Sequence, residues 1–107
     1  MSTTTTTPYD TGRDLDFPEL VAQIGRMTYG AICGFRKARR LGPSTIEMVV
    51  GNGYRVRVTI AANDTYTVER IWGRTGAVKG RAVGVYCDQI SDVAYAASCD
   101  GWEGFLQ

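Results

Sequence analysis

The side chains best suited to making and breaking bonds are thinly supplied in this chain. Histidine is absent from all 107 residues, and with it go the commonest general base, the usual catalytic triads and dyads, and most zinc chemistry. Cys33, Cys87 and Cys99 are odd in number, widely spaced and form no C-x-x-C pair, so neither a disulfide framework nor a structural zinc site is predicted. All three read as reduced thiols, buried as small hydrophobes. A nucleophilic thiol needs an electropositive, partly exposed setting, and Cys33, a few residues before a basic run, is the candidate for one. Paired carboxylates are the remaining route to acid–base work. Glu47 and Glu69 acquire charge partners in the sheet derived below, and Asp14, Asp16 and Asp88 are accounted for at helix starts. Neither G-x-x-x-x-G-K-[ST] nor a strand-linked G-x-G-x-x-G occurs, and Gly30-x-x-x-Gly34 outside a membrane span signals close packing. The pattern predicts a protein that is not an enzyme and needs no cofactor or metal.

Two features exceed what folding alone requires. Arg36, Lys37, Arg39 and Arg40 place four positive charges within five residues, suited to phosphates or to an acidic protein surface, although cations are also favoured at a helix end. The termini are unusual as well. Tyr9 and Arg13 lie in the Thr-rich start and Trp102 and Phe105 in an aromatic end, and such residues are enriched at interface hot spots. Covering their own core is the alternative role for Trp102 and Phe105.

These residues must be positioned by a small set of elements. Residues 1–15, with five consecutive threonines, Pro8 and Gly12, have too little apolar surface to offset their ordering entropy and read as a flexible tail. Residues 16–101 read as one domain and 102–107 as an aromatic tail. Asp16 before Phe17-Pro18-Glu19 is a helix start: a carboxylate cap, proline in the first turn and glutamate at the positive end of the dipole. Phe17, Leu20, Val21, Ile24, Met27 or Thr28, Ala31, Ile32, Phe35 and Ala38 follow helical spacing on one core-facing stripe. Gly34 is one candidate stop; Gly42-Pro43 is the stronger signal and predicts a helix, straight or kinked, to about Leu41.

From Ser44 to about Tyr86 the period changes to two. Gly51-Asn52-Gly53, Ala62-Asn63-Asp64 and Gly73-Arg74-Thr75-Gly76 divide the stretch into four strands of an antiparallel meander. A slip of one residue turns a strand over, so register follows from keeping apolar residues on one face. Val50 then faces Tyr54, Met48 faces Val56, Ile46 faces Val58, Ile60 faces Tyr66, Val58 faces Val68 and Tyr54 faces Trp72. The opposite face sets Glu47 beside Arg57 and Arg57 beside Glu69. If Trp72 faces Gly76, Glu69 lies beside Lys79, so that signs alternate and set register. Gly80, Ala82 and Gly84 allow close approach of a helix or mark a bulge. Asp88 is placed to cap a second helix with Ile90, Val93, Ala94 and Ala97 on one face, ending near Cys99-Asp100-Gly101. The predicted fold is α+β: a four-stranded antiparallel meander with a long N-terminal and a shorter C-terminal helix packed on one face.

Hydrophobic residues at 44% and charged residues at 21% are ordinary for a globular domain, and a net charge of +1 provides no global field towards nucleic acid or anionic membrane. No apolar run approaches a membrane span, and Met1 to Thr7 lacks a signal-peptide pattern, so a cytoplasmic location is expected.

The run Gly53-Tyr54-Arg55-Val56-Arg57-Val58-Thr59-Ile60, then Asp64-Thr65-Tyr66-Thr67-Val68-Glu69-Arg70 and Val85-Tyr86-Cys87-Asp88-Gln89-Ile90, resembles small accessory proteins of actinobacterial phages over residues 54–99. The resemblance carries no catalytic motif. It implies a non-structural product acting on host machinery, such as an inhibitor of a defence system or of a host enzyme. The expected function is therefore non-enzymatic protein binding. The alternatives are a nucleic-acid module using the basic cluster and self-assembly through a sheet edge or the glycine-rich helix.

Overall fold

A computed structural model describes residues 11–34, 36, 38–99 and 101–104. The elements run α1 (Phe17–Ile24), α2 (Arg26–Cys33), β1 (Arg39–Gly42), β2 (Thr45–Val49), β3 (Tyr54–Ile60), β4 (Tyr66–Trp72), β5 (Ala77–Val85) and α3 (Ile90–Ala97). The class is α+β as expected, but the antiparallel sheet has five strands in the order β1-β2-β3-β4-β5, not four.

The extra strand and the shorter helices share one cause, the glycines within the apolar stripe. Asp16 caps α1 as the sequence predicts, accepting from the Glu19 N–H at 3.3 Å. At Gly25 the backbone leaves helical space, with φ 93° and ψ 135°, a conformation that glycine adopts without steric cost. Its N–H closes α1 on Val21 and its carbonyl opens α2 by accepting from Tyr29, both at 2.8 Å. Gly34 then ends α2 in the left-handed region at φ 64°. The single helix expected to reach about Leu41 is thus two short helices, and Arg39–Gly42 is the edge strand β1, paired antiparallel with β2. Gly42-Pro43 turns a hairpin instead of stopping a helix.

The break also re-aims side chains. After Gly25, α2 buries Tyr29, Ile32 and Cys33, whereas Met27 and Ala31, expected on the buried stripe, are exposed. Phe35 lies outside the described residues. The core lies between the helices and one face of the sheet, where Leu20, Ile24, Ile32, Ile90 and Ala94 meet Ile46, Met48, Val56, Val58 and Val68.

The register from β2 to β4 is the expected one: Met48 pairs with Val56, Ile46 and Val68 both pair with Val58, and Tyr54 pairs with Trp72. β5 departs from expectation. Trp72 pairs with Ala77, not Gly76, and a shift at Arg70/Ile71 sets Glu69 against Arg81 instead of Lys79. A four-residue turn ending on Gly76 at φ 76° and one inserted residue account for the offset. Gly84 marks a second irregularity at φ 67°, while Gly80 makes room for the C-terminal segment: a Cβ there would stand 2.5 Å from the Trp102 carbonyl oxygen. α3 does contact β5, where the small Ala82 is buried in one core with Ala94 and Ala97. Asp88 does not cap α3, which opens at Gln89 without a side-chain cap.

Within the segment expected as a tail, residues 11–15 are docked. Leu15 is buried and its N–H donates to the Pro43 carbonyl at 2.8 Å. Thr11 donates through its hydroxyl to the Ile60 carbonyl at 2.6 Å, and the buried Ser44 hydroxyl donates to the Arg13 carbonyl.

The buried Tyr29 hydroxyl donates to the Arg36 carbonyl at 3.1 Å. Burial, and after it the neighbouring Cys33 thiol, pushes its pKa up from 10.0 to about 12. Tyr66 is also raised, first by burial and then by surrounding acids led by Glu19. A phenol whose folded pKa lies above its unfolded value near 10 gives stability that is complete below that value and lost as pH rises towards the folded one. The unfolding free energy is therefore expected to fall between pH 10 and about 12, and Tyr29→Phe to flatten part of that decline in alkaline denaturation curves.

Candidate binding groove

The turn at Gly25 brings α2 alongside α3 with a groove of about 380 Å³ between them, lined by Met27, Thr28 and Ala31 from α2 and by Ser91, Asp92 and Tyr95 from α3. Residues 27 and 31, and residues 91 and 95, are each one helical turn apart, so both helices present a matched pair to the groove. Ala94 and Ala97 bury the other side of α3, and this small-residue face lets the helix sit low on the sheet. Met27 is 86% exposed. Tyr95 is also exposed, and the Ser91 hydroxyl donates to Thr28 Oγ1 at 3.3 Å, joining the two helices across the floor.

The lining combines an apolar thioether, a methyl group and an aromatic ring with hydroxyls and one carboxylate, Asp92. No lining residue pairs a nucleophile with a base. Among the described residues no three His, Cys, Asp or Glu side chains cluster so as to hold a metal ion, and no helix is long and apolar enough to cross a membrane.

The residues singled out from the sequence are dispersed by the fold. Lys37, Tyr9 and Phe105 lie outside the described residues. Arg36 is exposed beyond α2, while Arg39 and Arg40 are consecutive on β1 and so point to opposite faces of the sheet. Arg40 is spent on the local backbone, donating to the carbonyls of Leu15 at 2.8 Å, Pro43 at 3.1 Å and Gly42 at 3.2 Å. The basic run is therefore no single helical patch. Arg13 pairs with Asp64 at 2.7 Å in an exposed bridge. Trp102 is half-buried against the core, and the Arg81 N–H donates to the Glu103 carbonyl at 3.1 Å, which straps this end of the chain along β5. Cys33 is buried and its thiol donates to the Tyr29 carbonyl at 3.3 Å, so it lacks the exposure that a nucleophile needs. Cys87 and Cys99, expected to be buried, are exposed.

Sequence reasoning missed Met27, Ala31 and Tyr95. The signal was Gly25, because a glycine in the middle of an apolar stripe allows a break that rotates the following turn outward.

No protein-family model, curated protein or solved structure matches the chain.

Proposed function

We propose that this chain acts as a non-enzymatic modulator that binds another protein through the groove between α2 and α3. The observation that supports this most is Met27, a large apolar side chain 86% exposed at the mouth of that groove, beside the exposed ring of Tyr95. Methionine is unbranched and polarisable and is over-used at adaptable binding surfaces, and tyrosine contributes disproportionately at hot spots. Asp92 adds a carboxylate at the groove for a partner's basic or N–H group. The resemblance to actinobacterial phage accessory proteins supports a host protein as the partner, with inhibition of a host enzyme or of a defence protein as the consequence.

Met27→Asp puts a charge where the partner's apolar surface would sit, while leaving the core untouched. Binding to the partner purified with the wild-type chain is expected to weaken by more than about tenfold, that is by about 1.4 kcal/mol or more, with an unchanged melting temperature. Unaltered affinity in Met27→Asp and in Tyr95→Ala would remove the groove from the interface.

A further inference from the structure

The sheet has a second face, turned away from the helices, and its charges are layered. Arg39, Glu47, Arg57, Glu69 and Arg81 stand opposite one another in one row across all five strands. The two carboxylates lie at the bottom of this row. Glu47 is 3% exposed, held by Arg55 at 3.1 Å and Arg57 at 2.9 Å, and Glu69 is 13% exposed, held by Arg81 at 2.9 Å. Arg57 is itself largely covered at 18% exposure, whereas Arg55 at 35%, Arg81 at 48% and Arg39 on the edge strand reach solvent. Negative charge is thus sunk under positive charge, and what solvent meets is cationic. The opposite sign collects elsewhere: Asp14, Asp16, Glu19, Asp88 and Asp92 are all exposed on or beside the helices.

We propose that this sheet face is a binding surface for an acidic polypeptide segment. A guanidinium carries five N–H donors in a fixed fork. Arg81 commits Nε and Nη2 to Glu69, and Arg55 commits Nη1 to Glu47. The ion pairs hold the forks in place before a partner arrives, which lowers the ordering cost of binding. In the neighbouring row, Val49, Arg55, Ile71 and Val78, Ile71 is buried and Val78 is the exposed apolar side chain. Arginine beside apolar surface is the composition of a protein interface. Nucleic-acid surfaces are far more positive and stack bases on aromatic rings, whereas these two rows contain two carboxylates and no aromatic residue. The inference rests on the reading that the chain binds protein, and adds a second surface on the side opposite the groove.

The test is a titration of the isotope-labelled full chain with a glutamate-rich peptide, followed by amide chemical shifts at about 50 mM and about 300 mM salt, a range over which screening of exposed charges grows. Shifts are expected on the strands around Arg39, Arg55, Arg57 and Arg81, with affinity falling as salt rises. The double variant Arg39→Gln/Arg81→Gln should lose about tenfold or more in affinity, and the charge-matched control Arg26→Gln/Arg74→Gln should lose little. Absence of shifts, shifts confined to α2 and α3, equal losses in both double variants, or tighter binding of a duplex oligonucleotide to the same strands would overturn the proposal. A failed titration leaves the groove untouched, because Met27→Asp tests that surface separately.

Discussion

Arg70→Leu is expected to lower the unfolding free energy by about 3 kcal/mol and the melting temperature by roughly 12–24 °C, given about 4–8 °C per kcal/mol for a domain near this size. Arg70 sits in β4 on the core side, between Val68 and Trp72 in the pleat, and is 2% exposed. Its Nη1 donates to the Ala97 carbonyl at 3.0 Å and to the Cys99 carbonyl, acceptors that a helix end leaves without intrahelical partners. A cation there also meets the negative end of the α3 dipole. Beneath it the Tyr54 ring lies 3.6 Å from the guanidinium carbon, and that ring packs on Trp72 with centroids 4.7 Å apart. Leucine restores apolar volume but strands the Ala97 carbonyl and leaves the Cys99 carbonyl only the 3.4 Å bond from the Trp102 N–H; an unsatisfied buried group costs about 1–3 kcal/mol. Arg70→Lys, which keeps the charge and N–H donors on a single nitrogen but loses the planar fork, should recover part of the loss. A melt of Arg70→Leu indistinguishable from wild type would mean that α3 is anchored by packing alone.

The second large effect is expected at Glu47. Glu47→Gln preserves shape and one carbonyl oxygen, yet leaves Arg55 and Arg57 side by side without the carboxylate that now takes three of their N–H bonds at 2.9 to 3.2 Å. Removing one member of a buried ion pair typically costs about 3–5 kcal/mol, and because Arg55 can swing into water the expected loss here is about 2–3 kcal/mol. It should persist at high salt, since Glu47 is 3% exposed and screening acts weakly on buried pairs. Glu69→Gln provides the comparison. Its partner Arg81 is about half exposed, and such pairs contribute about 0–1 kcal/mol. Equal losses at the two sites in chemical denaturation would contradict the layered arrangement.

Much of the sheet is legible in the sequence, and the reason is local. From Ile46 to Trp72 most apolar residues alternate, Val49 and Ile71 being the exceptions on the opposite face, and short loops limit the possible registers, so pairing of Met48 with Val56 and of Val58 with Val68 follows from the pleat. Arg70 is in phase with Val68 and Trp72, a charge on the apolar face that the sequence reading passed over; its carbonyl partners at the end of α3 come from a separate helix and leave no local signal. The hairpin into β5 was misjudged because inserted residues in a strand leave no mark in hydrophobic period. The largest miss was β1. Arg36 to Leu41 contains no β-branched residue and favours a helix by intrinsic propensity, yet tertiary pairing of Arg39 with Glu47 and of Arg40 with Ile46 prevails once Gly34 has ended α2. The groove went unseen for a related reason: Met27 and Ala31 fit the helical stripe of Leu20 and Ile24 until Gly25 interrupts it.

Site-specific photocrosslinking, in the organism that supplies the partner, tests the binding account most directly. A photoreactive residue at position 27 or 95 is expected to yield one and the same adduct, competed away by untagged wild-type chain, whereas the same residue at position 74, in the exposed β4–β5 turn, yields none. A chain that crosslinks to nothing from either helix, or equally well from position 74, would contradict a partner seated between α2 and α3.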